Sequence, residues 1–359
     1  ALILANTSLY ETYSHFFHMN IDFNVGSWAL SHSLHHWIND GLMAIFFFLI
    51  GLEIKREITA GELSNLIVAI LPILAAIGGM VFPALIYTSL NYETVGSAGW
   101  GIPMATDIAF AISALVLLGK RVPTALVTFL VALAIVDDLG AVIVIALFYT
   151  DTINMMALGL AGLMFVIMIA FNRFGIHMIL PYFIVGLLMW FFMLESGVHA
   201  TIAGVLAALA IPSTPKRIPS RLTKNTKRLL DEYEQYPVTE KFRINEEQKR
   251  ILSEIKHNIN EVETPAARLE HNLHLPVALV IIPIFALANA GIKIDFSSIS
   301  TTIVEPVSLG IILGLIFGKV IGIFGVSYVA VKLKIAQLPK DSTLSQVFGV
   351  AFLGGIGFT

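Results

Sequence analysis

The 359 residues contain no cysteine, which removes disulfides, thiolate metal sites and thiol redox chemistry at once. Charge is also scarce: Asp, Glu, Lys and Arg make up 13% of the chain, where a soluble protein carries roughly a quarter. The net charge of −3 provides no basic surface for a nucleic-acid partner. No run alternates apolar and polar residues over the length of an outer-membrane barrel strand. The first run, Ala1–Leu9, lacks both the basic region and the small-residue cleavage site of a signal peptide. It is too short to span a bilayer, and the last run, Thr343–Thr359, stops abruptly; both read as pieces of longer spans.

What is abundant is apolar sequence, 57% of the residues, gathered into runs of about 20, each long enough to cross roughly 30 Å of hydrocarbon as a helix. With no water there to satisfy backbone groups, helices are the solution, so the fold class is an all-α membrane protein. Spans are expected near residues 35–54, 65–90, 101–119, 123–149, 154–171, 176–195, 197–211, 275–291, 304–331 and 343–359. Lys and Arg placement orients them. Lys55 and Arg56 follow the first full span, Lys120 and Arg121 the third, and Arg173 the fifth; the Lys216–Arg228 cluster follows the seventh, and Lys332, Lys334 and Lys340 the ninth. The intervening loops hold only Lys293. The basic loops are therefore expected in the cytoplasm.

The chain then divides into a first group of transmembrane helices (1–211), a charged cytoplasmic loop (212–274) and a second group (275–359), all within one integral membrane domain. In the loop, Ile251, Ile255, Ile259 and Val262 form an apolar helical stripe, and Thr264-Pro265 reads as the cap and first position of another helix. The rest reads as a linker. Asn20–Leu30 alternates around Gly26-Ser27 and reads either as a small periplasmic β-hairpin or as a plain loop.

Four ionisable residues interrupt the apolar spans: Asp107 in Gly101-Ile-Pro-Met-Ala-Thr-Asp, the adjacent Asp137 and Asp138, and Lys319 in Gly318-Lys-Val-Ile. An Asp or Lys at the bilayer centre costs about 2.5–3.5 kcal/mol. Four together cost on the order of 10 kcal/mol, the size of a whole folding stability. One reading is a buried structural pair, for instance Asp107 with Lys319. It fails for Asp137 and Asp138, because one lysine cannot neutralise two adjacent carboxylates. Burial and mutual repulsion favour a proton on at least one of them, and their oxygens are the ligands a hard cation prefers. Proton and cation then compete for one site, which is the chemistry of an exchanger. Adjacent positions on a helix do not face each other, so the two carboxylates need different surroundings. One faces the cavity as the main cation ligand and the other a neighbouring span, where Lys319 is a candidate partner. Asp40 is expected near the periplasmic end of its span as an interfacial cap. Pro103 and Thr106-Asp107 break one span, and Gly354-Gly355-Ile356-Gly357-Phe358-Thr359 breaks the last. Two interrupted spans in corresponding halves of a transporter point to an ion site.

Around these residues the chain resembles the NhaA-type sodium/proton antiporters, themselves a type case of inverted-topology repeats. The resembling stretches are Trp37-Ile-Asn-Asp-Gly-Leu-Met-Ala, Gly51-Leu-Glu-Ile-Lys-Arg-Glu, Ala105-Thr-Asp-Ile-Ala-Phe-Ala, Ile135-Val-Asp-Asp-Leu-Gly-Ala, Leu269-Glu-His-Asn-Leu-His, Phe285-Ala-Leu-Ala-Asn-Ala-Gly, Gly318-Lys and Gly354-Gly-Ile-Gly-Phe-Thr, in family order along nearly the whole chain. The resemblance implies a twelve-helix inverted-repeat transporter fold with two crossing broken helices, containing Ala105–Asp107 and Gly355–Thr359, and a small periplasmic β-hairpin. It implies no enzyme activity and no cofactor, but electrogenic exchange of internal Na⁺ or Li⁺ for a larger number of external protons across a bacterial inner membrane. Asp138 matches the principal cation ligand, Asp137 its partner, Lys319 the lysine that pairs with Asp137, and Thr106 and Asp107 the broken-helix positions. Its partners would be membrane lipids and a second copy, joined in a homodimer through Asn20–Leu30.

Family members are activated by pH through charges at the cytoplasmic mouth, and Glu53, Arg56, Glu57, Glu270, His271 and His274 match those positions. Read as residues, these six fit either a pH-responsive cluster or an ordinary solvated interface. The Pro212–Pro265 loop is longer than is usual in the family. Two rivals remain. A sodium-coupled symporter of an organic solute on a similar fold would need intramembrane polar groups beyond the acidic set, and few are present. The other rival is a passive cation channel or a non-transporting sensor.

Overall fold

In hydrocarbon each backbone N–H and C=O has to bond within its own segment, and the long apolar runs of this chain fold accordingly. The computed structural model describes residues 1–25, 28–119, 122–149, 153–215, 219–235, 245–295, 297 and 299–357. Among these, the helices of ten residues or more are α1 (Leu34–Thr59), α2 (Leu66–Leu90), α3 (Ile108–Leu117), α4 (Thr124–Phe148), α5 (Met155–Arg173), α6 (Ile179–Glu195), α7 (Thr201–Ala210), α8 (Pro219–Glu234), α9 (Glu246–Val262), α10 (Pro265–Asn289), α11 (Pro306–Lys332) and α12 (Leu344–Gly354). Six of them, α1, α2, α4, α5, α10 and α11, are long and apolar enough to cross a membrane.

The expected span at 101–119 is not one helix. A 3₁₀ stretch, Ser97–Met104, ends at an extended Ala105, and α3 starts only at Ile108. The segment Asn20–Leu30 is part of a hairpin rather than a plain loop. Strand β1 (Asn20–Val25) pairs antiparallel with β2 (Trp28–Ser33), from Asn20 opposite Ser33 to Val25 opposite Trp28; the Gly26-Ser27 turn itself lies outside the described residues. Ser33, not Asp40, caps α1, its hydroxyl accepting the His36 N–H at 3.2 Å. Asp40 sits about two turns further in, within a π-helical turn, Trp37–Leu42. Its carbonyl takes the Trp190 indole N–H at 2.8 Å and its carboxylate lies 3.3 Å from His36 Nδ1.

The change from charged to apolar sequence at 274–275 falls inside α10. That helix opens with Pro265 as its first residue and the Thr264 hydroxyl accepting the Ala267 N–H at 3.1 Å, as the cap pattern requires, and runs on to Asn289. Before it, α8 and α9 are cross-linked by Arg250–Glu232 at 2.9 Å, with Leu229 and Ile251 buried. The stripe on α9 is buried at Ile251 but open at Ile259.

Among the described residues, two apolar cores are the largest. One gathers Leu71 and Ala75 of α2, Ala111 of α3, Leu130 and Leu133 of α4, Ile323 of α11 and Val347 of α12. The other gathers Leu52 of α1, Met168 of α5, Met189 of α6 and Ala208 of α7. The first surrounds the candidate site, and its tightest seam is α2 against α11. Gly310, Gly314, Gly318 and Gly322 recur every fourth residue on α11 and so lie along one face. A Cβ at Gly318 would come within 2.7 Å of Pro83 Cα, and one at Gly322 would strike the Gly78 carbonyl. Small residues permit such backbone contact, and dispersion from it holds helices together in a solvent as apolar as their side chains.

Candidate ion-binding site

α4 carries Asp137 and Asp138 near its middle. The Asp137 side chain is 1% exposed and meets Lys319 of α11, itself 0% exposed, with Oδ2 2.6 Å from Nζ. Lys319 stands between two π-helical turns, Gly314–Gly318 and Ile321–Gly325, an irregularity frequent at functional positions. Its ammonium also donates to Thr106 Oγ1 at 2.8 Å. The Thr106 hydroxyl has one proton to give and two acceptors in reach, Asp137 Oδ2 at 2.7 Å and the Gly354 carbonyl at 3.0 Å. The pair to Lys319 is thus made by Asp137, not Asp107. The other Asp137 oxygen, Oδ1, is buried with no hydrogen-bond partner among the described residues.

The two chain breaks meet at this point. Thr106 and Gly357 form an isolated antiparallel bridge, and the Asp107 N–H donates to the Ile356 carbonyl at 2.7 Å. Phe358 and Thr359 lie outside the described residues. Asp107 turns its carboxylate to the start of α3, accepting the Phe110 N–H at 3.0 Å; an acidic cap there compensates the positive helix end. At the second break the last carbonyl of α12, Gly354, faces the chain Thr106–Lys319, so a cation compensates a negative helix end. One residue beyond Asp137, Asp138 is half-buried, and among the described residues its carboxylate makes no hydrogen bond or ion pair. The charges of Asp137, Lys319, Glu53 and Asp107 all bear on it. No group of three His, Cys, Asp or Glu side chains is placed to hold a metal ion among the described residues.

At the basic end of the spans, Arg56 joins two of the matched acids, with Nη1 2.7 Å from Glu57 Oε1 and Nε 2.9 Å from Glu270 Oε1. Glu57 is buried. Glu53 lies within electrostatic reach of Glu270, Arg56, His274 and Glu57. His271 is exposed and bonds to none of them. A cavity of about 550 Å³ opens beside Arg56, Glu57, Asn65, Thr124 and Val131, and another of about 460 Å³ between Pro72, Thr128 and Lys340. Both open at the basic end. Two structural features escaped the reading of the sequence. The glycine series of α11 was visible as a four-residue spacing but not connected to Lys319. Lys55, read only as an orientation signal, donates to the Leu209 carbonyl at 2.7 Å and to that of Ile211, closing the C-terminal end of α7.

Comparison with known proteins decides the family. The model of the Na⁺/H⁺ antiporter 1 family matches residues 1–359. The chain belongs to that family. The Na⁺/H⁺ antiporter NhaA of Sulfurimonas denitrificans is 66% identical over 359 residues, covering 100% of this chain and 81% of its own length. Na⁺/H⁺ antiporter NhaA 1 of Saccharophagus degradans and Na⁺/H⁺ antiporter NhaA of Dichelobacter nodosus are each 47% identical over 360 residues, covering 100% of this chain and 78% of theirs. These Na⁺/H⁺ antiporter 1 relatives are transporters rather than enzymes, and the site just described is where this member's intramembrane charges converge.

Proposed function

We propose that the protein is an electrogenic Na⁺/H⁺ antiporter, also accepting Li⁺, that exports the cation across a bacterial inner membrane in exchange for a larger number of protons. The observation that carries this reading is the inequality of two adjacent carboxylates: Asp137 is already neutralised by Lys319, while Asp138 is half-buried and makes no ion pair among the described residues. Family membership and the names of the relatives support sodium and protons as the exchanged ions.

In the mechanism, Na⁺ enters from the cytoplasmic cavity and is held by Asp138, with the free Asp137 Oδ1 as the second ligand. Its arrival releases protons to the cytoplasm, because a protonated carboxyl cannot also ligate the ion. Thr106 and Lys319 compensate Asp137 Oδ2 while the ion is bound; in the sodium-free carrier Asp137 and Asp138 each take up a proton, so two protons leave for each Na⁺ that binds. A bare carboxylate pair is costly to carry past hydrocarbon, so only the sodium-loaded or protonated protein reorients. Periplasmic protons then displace the cation. The reorientation is a rocking of two inverted repeats in a twelve-helix fold whose broken helices cross where Thr106 meets Gly357. The protein is a homodimer joined through the β1–β2 hairpin, and the cluster of Glu53, Arg56, Glu57, Glu270 and His274 at the cytoplasmic mouth sets its pH response. Its cofactor requirement is nil; Na⁺, Li⁺ and H⁺ are substrates.

Proteoliposomes with a preset pH gradient test the reading. Na⁺ or Li⁺ alone collapses the gradient for an antiporter; a symporter also needs its solute, and a channel passes Na⁺ with no obligatory proton flux. Asp138→Asn abolishes the response, and full activity in that variant removes Asp138 from its role.

A further inference from the structure

The 3₁₀ stretch Ser97–Met104, which leads into Thr106, is bonded to phenol hydroxyls from two other helices. Tyr149, at the end of α4, accepts the Gly101 N–H at 2.9 Å and donates to the Ala98 carbonyl at 2.6 Å. Tyr87 of α2 donates to the Gly96 carbonyl at 2.7 Å. Ala98 and Gly101 are three residues apart, the two groups that a 3₁₀ turn bonds to each other. The Tyr149 hydroxyl is inserted between them. A 3₁₀ run longer than three or four residues is uncommon because its bonds are poorly aligned, and this one has eight. It is therefore a segment that depends on outside support. Trp100 adds to the attachment, packing edge-on against Phe148 at 5.1 Å between ring centroids.

α4 thus holds the segment at two points. One is Tyr149; the other is Asp137, through the Thr106 hydroxyl, about 18 Å earlier along the helix at 1.5 Å per residue. The cavities open at the opposite end of α4, beside Thr124 and Thr128. The Tyr149 end is the one that charge placement directs to the periplasm. A water path from the aspartates to that face has to pass between the elements that close it, and Tyr149 ties two of them together.

We propose that Tyr149 is a positioning residue for the exchange: its hydroxyl, inserted between Ala98 and Gly101, holds the first half of the broken span on α4, sets Thr106 on the Asp137–Lys319 pair, and favours the state open to the cytoplasm. This rests on the alternating-access reading above. Tyr149 touches neither ion, and its effect is on the balance of the two states.

Apparent affinity at each face scales with the fraction of molecules open to that face. The ratio of half-saturating Na⁺ on the cytoplasmic side to that on the periplasmic side therefore reports the balance directly. It is read by radiosodium equilibrium exchange in oriented proteoliposomes. For Tyr149→Phe the ratio rises about two- to tenfold, the range set by a lost hydrogen-bonding hydroxyl. Gly101→Ala acts in the same direction, because its Cβ would lie 2.8 Å from the Tyr149 hydroxyl oxygen and displace it; this variant carries the test if Tyr149→Phe does not reconstitute. A purely structural defect lowers the amount of active protein and leaves the ratio where it was. An unchanged or lowered ratio in the two variants overturns the proposal. Asp138→Asn is assayed alongside. Exchange surviving in Asp138→Asn sinks the antiport reading itself, whereas an inactive Asp138→Asn with wild-type ratios at Tyr149 and Gly101 sinks only the clamp.

Discussion

Lys319 and Asp137 are removed from water almost completely and touch at 2.6 Å, so each is the condition for the other's charge. Two desolvated ions recover their cost only through each other and through added hydrogen bonds; here the addition is the Thr106 hydroxyl. Removing one partner strands a buried charge and costs about 3–5 kcal/mol, whereas replacing both with neutral side chains of similar size is often near neutral. Lys319→Ala is therefore expected to lose several kcal/mol of stability in detergent, followed by thermal or denaturant unfolding. Asp137→Asn combined with Lys319→Met is expected to recover most of it. A double-mutant cycle with no coupling between the two positions would show that the contact is not held as an ion pair. Exchange activity separates from stability in the same set, since the neutral pair keeps the fold but loses one of its two carboxylates.

At the scale of elements, the seam between α2 and α11 decides where Lys319 stands. Its backbone contacts leave no volume for a methyl at Gly322, which faces the Gly78 carbonyl, whereas Gly325 has open space around its missing Cβ. The expected outcome is that Gly322→Ala lowers the melting temperature in detergent, by a loss of about 1–3 kcal/mol from overpacking, and weakens exchange by shifting Lys319. Gly325→Ala is expected to be neutral. Equal effects at the two positions would mean that helix propensity, not contact, governs the seam. The seam was hard to foresee, because a glycine in an apolar helix serves packing, unwinding or a kink with the same letter. The chain breaks were more legible. Pro103, Thr106-Asp107 and the Gly354–Gly357 run put breakers and an acid inside apolar spans, a combination costly enough in hydrocarbon to demand an explanation. What remained closed was their contact with each other, since the Thr106–Gly357 bridge joins residues far apart in the chain and no local pattern encodes such pairing. Asp40 lies near the start of α1, as expected, but the cap itself is Ser33, two residues before the expected span, a position the apolar run does not mark.

For the whole molecule, apolar run lengths and the rarity of charge made the membrane class readable from composition, and the same rarity singled out Asp107, Asp137, Asp138 and Lys319. The family resemblance points to Asp137 as the partner of the lysine; the residues alone leave this open, because it depends on how α4 and α11 are rotated about their axes. Geometry assigns Lys319 to Asp137, and the consequence reaches the overall pH dependence. If sodium and protons occupy the same carboxylates, each sodium bound expels protons, and the apparent affinity for Na⁺ falls as pH falls through the range in which those carboxyls fill. For one competing proton the half-saturating Na⁺ rises at most tenfold per pH unit, and for two taken up together the limit is a hundredfold. The sign is fixed: acid weakens sodium binding, alkali restores it until competition ends and the affinity levels off. Variants of the mouth cluster, such as Glu57→Gln, are expected to change turnover at a given pH while leaving this slope in place, because they do not ligate the ion. Calorimetric titration of the purified protein with NaCl across a pH series measures both the affinity and the protons released. Sodium affinity that stays flat with pH, or binding with no proton release, would mean that the two ions do not share the aspartates, and antiport by competition would have no chemical basis in this site.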